Sequence, residues 1–180
     1  MKRKHERAIE VRLREMDQLF DSMDPCPFYE KDLDRNAEQY IVESLREIAT
    51  QTPAAVVVHL DKPAGMVDEE RVVGDAIRSH FVRKSQVSRQ ELHLLFRRGW
   101  ISLGIGSSFL AAMLTAAESV EVWIGAEPVA TVLRESLFIG GWVAMWRPLE
   151  IFLYDWWPIL GQRRVYDRLS RIPVRLLTGR

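Results

Sequence analysis

The order of apolar and polar residues divides this chain into amphipathic ends and an uncharged middle. Near the start, Ile9, Leu13, Met16, Phe20 and Met23 recur at spacings of four, three, four and three. That stripe predicts an amphipathic helix, with Glu10 and Arg14 paired one turn apart on its solvated side. Asp24-Pro25 ends it, because the residue before proline is driven out of the helical region. A second helix is expected from Arg35 to Ala49, with Asp34 as its N-cap and Ala37, Ile41, Leu45 and Ile48 facing inward. Pro53 then breaks the chain, and AAVVVHL, Ala54 to Leu60, reads as a strand apolar on both faces and hence central in its sheet. Asp68 caps a further helix with Val73, Ile77 and Phe81 on one face. Ser88-Arg-Gln-Glu91 fits a capping box, which predicts a second helix start there.

The middle obeys a different rule. From Gly99 to Ala117 there is no charged residue. About nineteen residues of helix reach ~28 Å, close to the ~30 Å of a bilayer core. A second apolar stretch, rich in tryptophan, runs from Pro128 to Pro158. Together they predict a two-helix transmembrane hairpin over 99–157, with spans at about 99–117 and 130–153. After it come a basic helix and IPVRLL, Ile172 to Leu177, a short strand expected to pair with Ala54–Leu60. The fold expected is therefore mainly α: a small α+β domain built from residues 1–98 and 158–180, interrupted by the hairpin.

Charge adds an orientation. The chain of 180 residues is formally neutral, with 25 basic and 25 acidic residues. The charges are segregated, however. Arg97 and Arg98 precede the first span, Arg163, Arg164, Arg168 and Arg171 follow the second, and the connection carries Glu118, Glu121 and Glu127. The positive-inside rule then puts both termini in the cytoplasm of a cell whose inner membrane holds the hairpin. The same arginines suit anionic lipid headgroups. Nothing in the charge balance points to nucleic acid. MKRKHERAIEVRLRE is charged throughout and lacks the apolar core of a signal peptide. Cys26, the single cysteine, excludes an intramolecular disulfide.

Within the first span Gly104, Ser108, Ala112 and Ala116 recur every fourth residue, and the second span carries Gly140, Gly141 and Ala144. Small residues let membrane helices approach closely, either within the hairpin or between copies of the chain. The second span has only about eleven uncharged residues between Glu135 and Arg147, ~16 Å of helix, so charge must lie at depth or at the interface. Arg147 and Glu150 are spaced to pair on one face. Pro148 between them implies a kink, or the end of the span. Trp146, Tyr154, Trp156 and Trp157 match an interfacial aromatic belt.

MDPCPFYEKDLD, from Met23, and RPLEIFLYDWWPI, from Arg147, resemble motifs of a family of small bacterial two-span membrane proteins without an established activity. The resemblance runs from about Asp21 to Arg171. It implies a membrane location and supplies no catalytic residues.

No HExxH, CxxC, GxSxG or phosphate-loop pattern occurs, so no metal, cofactor or catalytic residue is assigned. His80 and His93 are too far apart on one helix to share a metal. The function expected is a membrane-anchored adaptor or scaffold with a protein or lipid partner. One alternative is an oligomeric transport component using Arg147 and Glu150. A lesser one is an enzyme whose cytosolic site joins His59 and Asp61 to the acids near Asp32.

Overall fold

A computed structural model describes residues 7–21, 31–50, 52–62, 68–125 and 128–178, with the backbone alone at Glu121 and Ile124. Met23, the Asp24-Pro25 turn, Cys26 and Glu127 lie outside the described residues. The chain is mostly helical around a small parallel sheet. It divides into two compact units, 1–88 with 161–180, and 89–160.

The first unit is built on three parallel strands in the order β1 (Arg7–Leu13), β2 (Ala54–Leu60), β3 (Val174–Thr178). The expected pairing of the last strand with Ala54–Leu60 is present, Val56 opposite Val174 and Leu60 opposite Thr178. The first strand replaces the expected N-terminal helix. Ile9, Leu13, Met16 and Phe20 are not one helical stripe. Residues 7–13 are extended, with Ile9 and Val11 buried and Glu10 and Arg12 exposed. Both periods fit the apolar residues, but the helical reading leaves Val11 unexplained, and pairing with β2 from Arg7–Ala54 to Leu13–Leu60 selects the period of two. Met16 and Leu19 then fill the core from a short 3-10 turn. Glu10 consequently faces Arg12 and His59 rather than Arg14.

β2 is central, as its apolar run implies. Ala54, Val56, Val58 and Leu60 point into the core, Val58 with no exposed surface. Full burial of such side chains contributes about 1.5–3 kcal/mol each. The other face is less complete: Ala55 is buried, while Val57 and His59 stay half-buried. Because strands alternate with helices and run parallel, the small domain of helices and strands that was expected takes a βαβ arrangement.

α1 (Arg35–Glu47) joins β1 to β2. Its N-cap is Asp34, whose carboxylate accepts from the Asn36 and Ala37 amides at 2.9 and 3.3 Å. Its inner face, Ile41, Val42, Leu45 and Ile48, is buried as the spacing requires. The far end is closed from a distant part of the chain. The Arg168 guanidinium donates to the carbonyls of Ile48, Ala49 and Thr52 at 3.1, 3.1 and 2.6 Å. Ile48 is the C-cap, whose carbonyl a terminating helix leaves without a helical partner, while Ala49 and Thr52 belong to the turn that follows, and the cation also suits the negative end of the dipole.

α2 (Glu69–Ile124) is one unbroken helix. Asp68 precedes it in a left-handed conformation, φ 64°, and its carbonyl accepts from the Arg71 and Val72 amides. No helix starts at Ser88. No glycine or proline occurs between Gly74 and Gly99 to stop α2, and Ser88 is buried inside it. Ser85 Oγ donates to the Asp167 carboxylate. Gly125, φ 78°, ends α2 in the manner of a C-terminal glycine cap.

Within the second unit α3 (Pro128–Ala144) follows, then a turn at Met145, the short α4 (Trp146–Glu150), a π-helical turn over Ile151–Asp155, and α5 (Trp156–Leu169), which leads back into the first unit. The break at Met145 has a visible cause. Pro148 has no N–H to return to the carbonyl of Ala144, and it sits in the first turn of α4, where none is needed.

Candidate functional site

In the first unit the sheet and α1 bring together a polar cluster that the sequence did not announce. His80 lies on the inward face of α2, one turn beyond Ile77, and is 1% exposed. Its Nδ1 is 3.0 Å from Asp32 Oδ1 and its Nε2 is 3.3 Å from Glu38 Oε2. Arg83 holds Asp32 at 2.7 Å, and Lys84 holds Glu38 at 3.0 Å. On the far side of Glu38, Tyr166 of α5 donates to Oε1 at 3.4 Å and accepts from Gln162 at 2.8 Å. The cluster borders a cleft of about 490 Å³ that Arg35 and Arg46 also line.

The electrostatics follow from these contacts. The His80 ring is the largest cause that depresses the Glu38 carboxyl from 4.5 to about 2; burial opposes it and Lys84 adds to it. Burial works to raise Asp32, but hydrogen bonds from Arg83 and His80 outweigh it and hold the carboxyl below its usual value. The backbone N–H of Leu33 also reaches Nδ1, at 3.3 Å. One ring nitrogen cannot serve both neighbours. Bare, Nδ1 accepts from Leu33; protonated, it donates to Asp32. At Nε2 the Glu38 oxygen is within ion-pair distance but is not aligned as a good acceptor. With a carboxylate beside each nitrogen and 1% exposure, His80 ties α1, α2 and the 31–34 segment together at the edge of the cleft.

The signal that could have found His80 was its register. Val73, Ile77, His80 and Lys84 continue one inward line on α2, and a histidine on such a line needs polar partners. The partners themselves, Asp32 and Glu38, are legible only in three dimensions. The enzyme expectation does not assemble: Asp32 meets His80, and His59 lies instead on the second face of β2, 3.8 Å from Glu10. Among the described residues no group of His, Cys, Asp and Glu is arranged to hold a metal ion.

The second unit is apolar outside as well as inside. α2 is long and apolar enough to cross a membrane, and only 11% of its apolar stretch is buried. Trp100 is 66% exposed and Ile105 67%; on α3, Val132, Ile139 and Trp142 are open too. α2 meets α3 and the π turn through glycines. A Cβ on Gly106 would lie 3.0 Å from the Ala144 carbonyl oxygen, one on Gly141 would lie 2.9 Å from Leu110, and one on Gly99 would lie 2.9 Å from Ile151. The contact line on α2 runs through Gly99, Gly106, Leu110, Met113, Ala117 and Val120. Of the expected packing residues, Gly141 and Ala144 meet it. Gly104 and Gly140 have open space around them, and Ser108 and Ala112 are exposed. The repeat of four was read one face away from the heptad-like spacing that makes the contact.

Arg147 and Glu150 do pair, at 3.0 Å, and Arg147 also reaches Asp155 at 3.3 Å. Asp155 was not anticipated, since the π turn brings it round to Arg147. Trp146 donates its indole N–H to Glu150 at 3.0 Å and remains 67% exposed. Tyr154 and Trp157 are exposed. Trp156 is half-buried, with its indole N–H on the Phe152 carbonyl at 2.9 Å. Phe152 in turn packs edge-on against Trp100 of α2. Comparison with family models, curated proteins and solved structures gives no match to this chain.

Proposed function

We propose that this chain is an integral membrane protein in which a two-helix hairpin anchors a small parallel βαβ domain, and that it works as an adaptor or scaffold on the cytoplasmic face of the inner membrane. The observation that carries the reading is the uncharged stretch of α2 from Gly99 to Ala117, whose large apolar side chains stay exposed. Water would leave hundreds of Å² of apolar surface without a partner, whereas hydrocarbon covers it.

The sheet supports a second crossing. β2 and β3 are hydrogen-bonded neighbours, so both ends of the intervening chain lie on one side of any bilayer. One passage by α2 therefore requires a return. α3 supplies 17 residues, about 25 Å, toward it. The arginines flanking the hairpin favour the cytoplasm for the domain, and Glu118, Glu121 and Glu127 favour the opposite side for the connection. The two motifs that resemble a two-span bacterial family agree with this arrangement.

Arg147, matched by two carboxylates beside exposed Trp146, favours interfacial anchoring over a polar transport path. The test is alkaline extraction of membranes combined with reporter fusions. The protein should stay in the pellet, and a reporter active only outside the cytoplasm should signal at residue 125 and not at 180. Release by alkali, or signal at 180, would overturn the reading.

A further inference from the structure

On the outer side of α2, beside its contact with α3, runs an apolar groove of about 460 Å³. Ile101, Ile105 and Phe109 form its wall and Gly106 with Ala144 its floor. The groove exists because Gly106 has no side chain and because α3 ends at Ala144, where the Pro148 break turns the chain away. Arg98 closes its N-terminal end. Arg98 is exposed, and among the described residues no carboxylate pairs with it.

Length and charge identify the occupant. From Arg98 to Phe109 is on the order of 16 Å of helix, about half the ~30 Å hydrocarbon core and so the depth of one leaflet. A cation at the mouth of an apolar channel one leaflet deep has the layout of a single anionic phospholipid, phosphate outside and acyl chain within. We propose that this groove binds one anionic phospholipid of the cytoplasmic leaflet, with its phosphate on Arg98 and an acyl chain along Ile101, Ile105 and Phe109. The inference rests on the membrane reading above and goes further than a general attraction of arginines to headgroups, because it names one cation and one chain path.

The test is photolabelling of the full chain reconstituted into mixed phosphatidylcholine and phosphatidylglycerol vesicles. Either lipid carries a diazirine midway along one acyl chain, and labelled residues are mapped by mass spectrometry. Val132 and Ile139, exposed on α3, report the ordinary lipid annulus. The expected result is that the phosphatidylglycerol probe labels Ile101, Ile105 and Phe109 several-fold more than the phosphatidylcholine probe does. Val132 and Ile139 should not discriminate. Arg98→Gln should bring the ratio in the groove close to one and leave α3 labelling unchanged, which also shows that the variant is folded and inserted. Equal labelling of groove and annulus by both probes would overturn the proposal. So would absence of label from the groove with either probe while Val132 and Ile139 are labelled, since something other than lipid would then cover it. Absence of label on α3 as well would mean that the hairpin is not in the bilayer, a failure of the membrane reading itself.

Discussion

The carbonyl of Ala144 faces Gly106, at a separation that leaves no room for a side chain: a Cβ there would stand 3.0 Å from the oxygen. That carbonyl is the one deprived of its helical donor by Pro148. A close helix approach therefore coincides with the weakest point of α3, and backbone cannot yield as a side chain would.

Glycine substitutions should consequently sort by contact and not by sequence repeat. Gly106→Ala and Gly141→Ala are expected to cost about 1–3 kcal/mol by overpacking. Gly104→Ala and Gly140→Ala, with open space at both sites, should be neutral or gain up to about 1 kcal/mol from helix propensity. Unfolding of the purified protein in a denaturant titration measures both. Equal losses at all four positions would show that the Gly104 face is a contact surface too.

The Arg168 guanidinium carries three carbonyls at the C-cap of α1 and in the turn that follows it. Arg168→Ala should destabilise the βαβ domain by about 1.5–3 kcal/mol, the scale of hydrogen bonds to a charged group. Arg168→Lys should recover only part of this, because an ammonium cannot span the carbonyls as the planar fork does. Full rescue by lysine would mean that charge alone matters there.

Glu38 titrates at about 2 in the folded protein against an ordinary 4.5. Its folded value is the lower one, so its contribution is complete above about 4.5 and drains away as pH falls toward 2. The denaturation midpoint should drop across that window in the parent protein. Glu38→Gln should be less stable at neutral pH and should flatten the acid limb. An unchanged acid limb would show that Asp32 or other carboxylates dominate it.

Arg147 has two acids, so single losses should be partly covered. Glu150→Ala leaves Asp155 in reach, and the Glu150→Ala/Asp155→Ala pair should cost more than the sum of the two. A cycle between Arg147→Ala and Glu150→Ala should give a coupling of about 0.5 kcal/mol, typical of exposed pairs. Strict additivity in both cycles would show that the arginine is held by neither.

The local elements of this protein were legible wherever one signal stood alone. Asp34 before Arg35 marks α1, the β-branched run between Pro53 and Asp61 marks β2, and the uncharged run after Arg98 marks the apolar part of α2. Each depends on neighbours within a turn or two, and those are fixed by covalent order. The pairing of β2 with β3 was legible too, because each is an apolar run that needs a sheet. What failed were choices between two periods, or two faces, that short-range sequence both allowed. Ile9 to Phe20 satisfied a helical stripe and a strand, and only the hydrogen-bonding edge of β2 decided. The small residues of α2 offered two faces, and only the position of Ala144 and Leu110 chose Gly106 over Gly104. His80 is far from Asp32 and Glu38 along the chain, and no spacing rule connects it to them. Their contacts form because burying His80 inside the domain removes its nitrogens from solvent, and tertiary packing alone determines which carboxylates stand beside them.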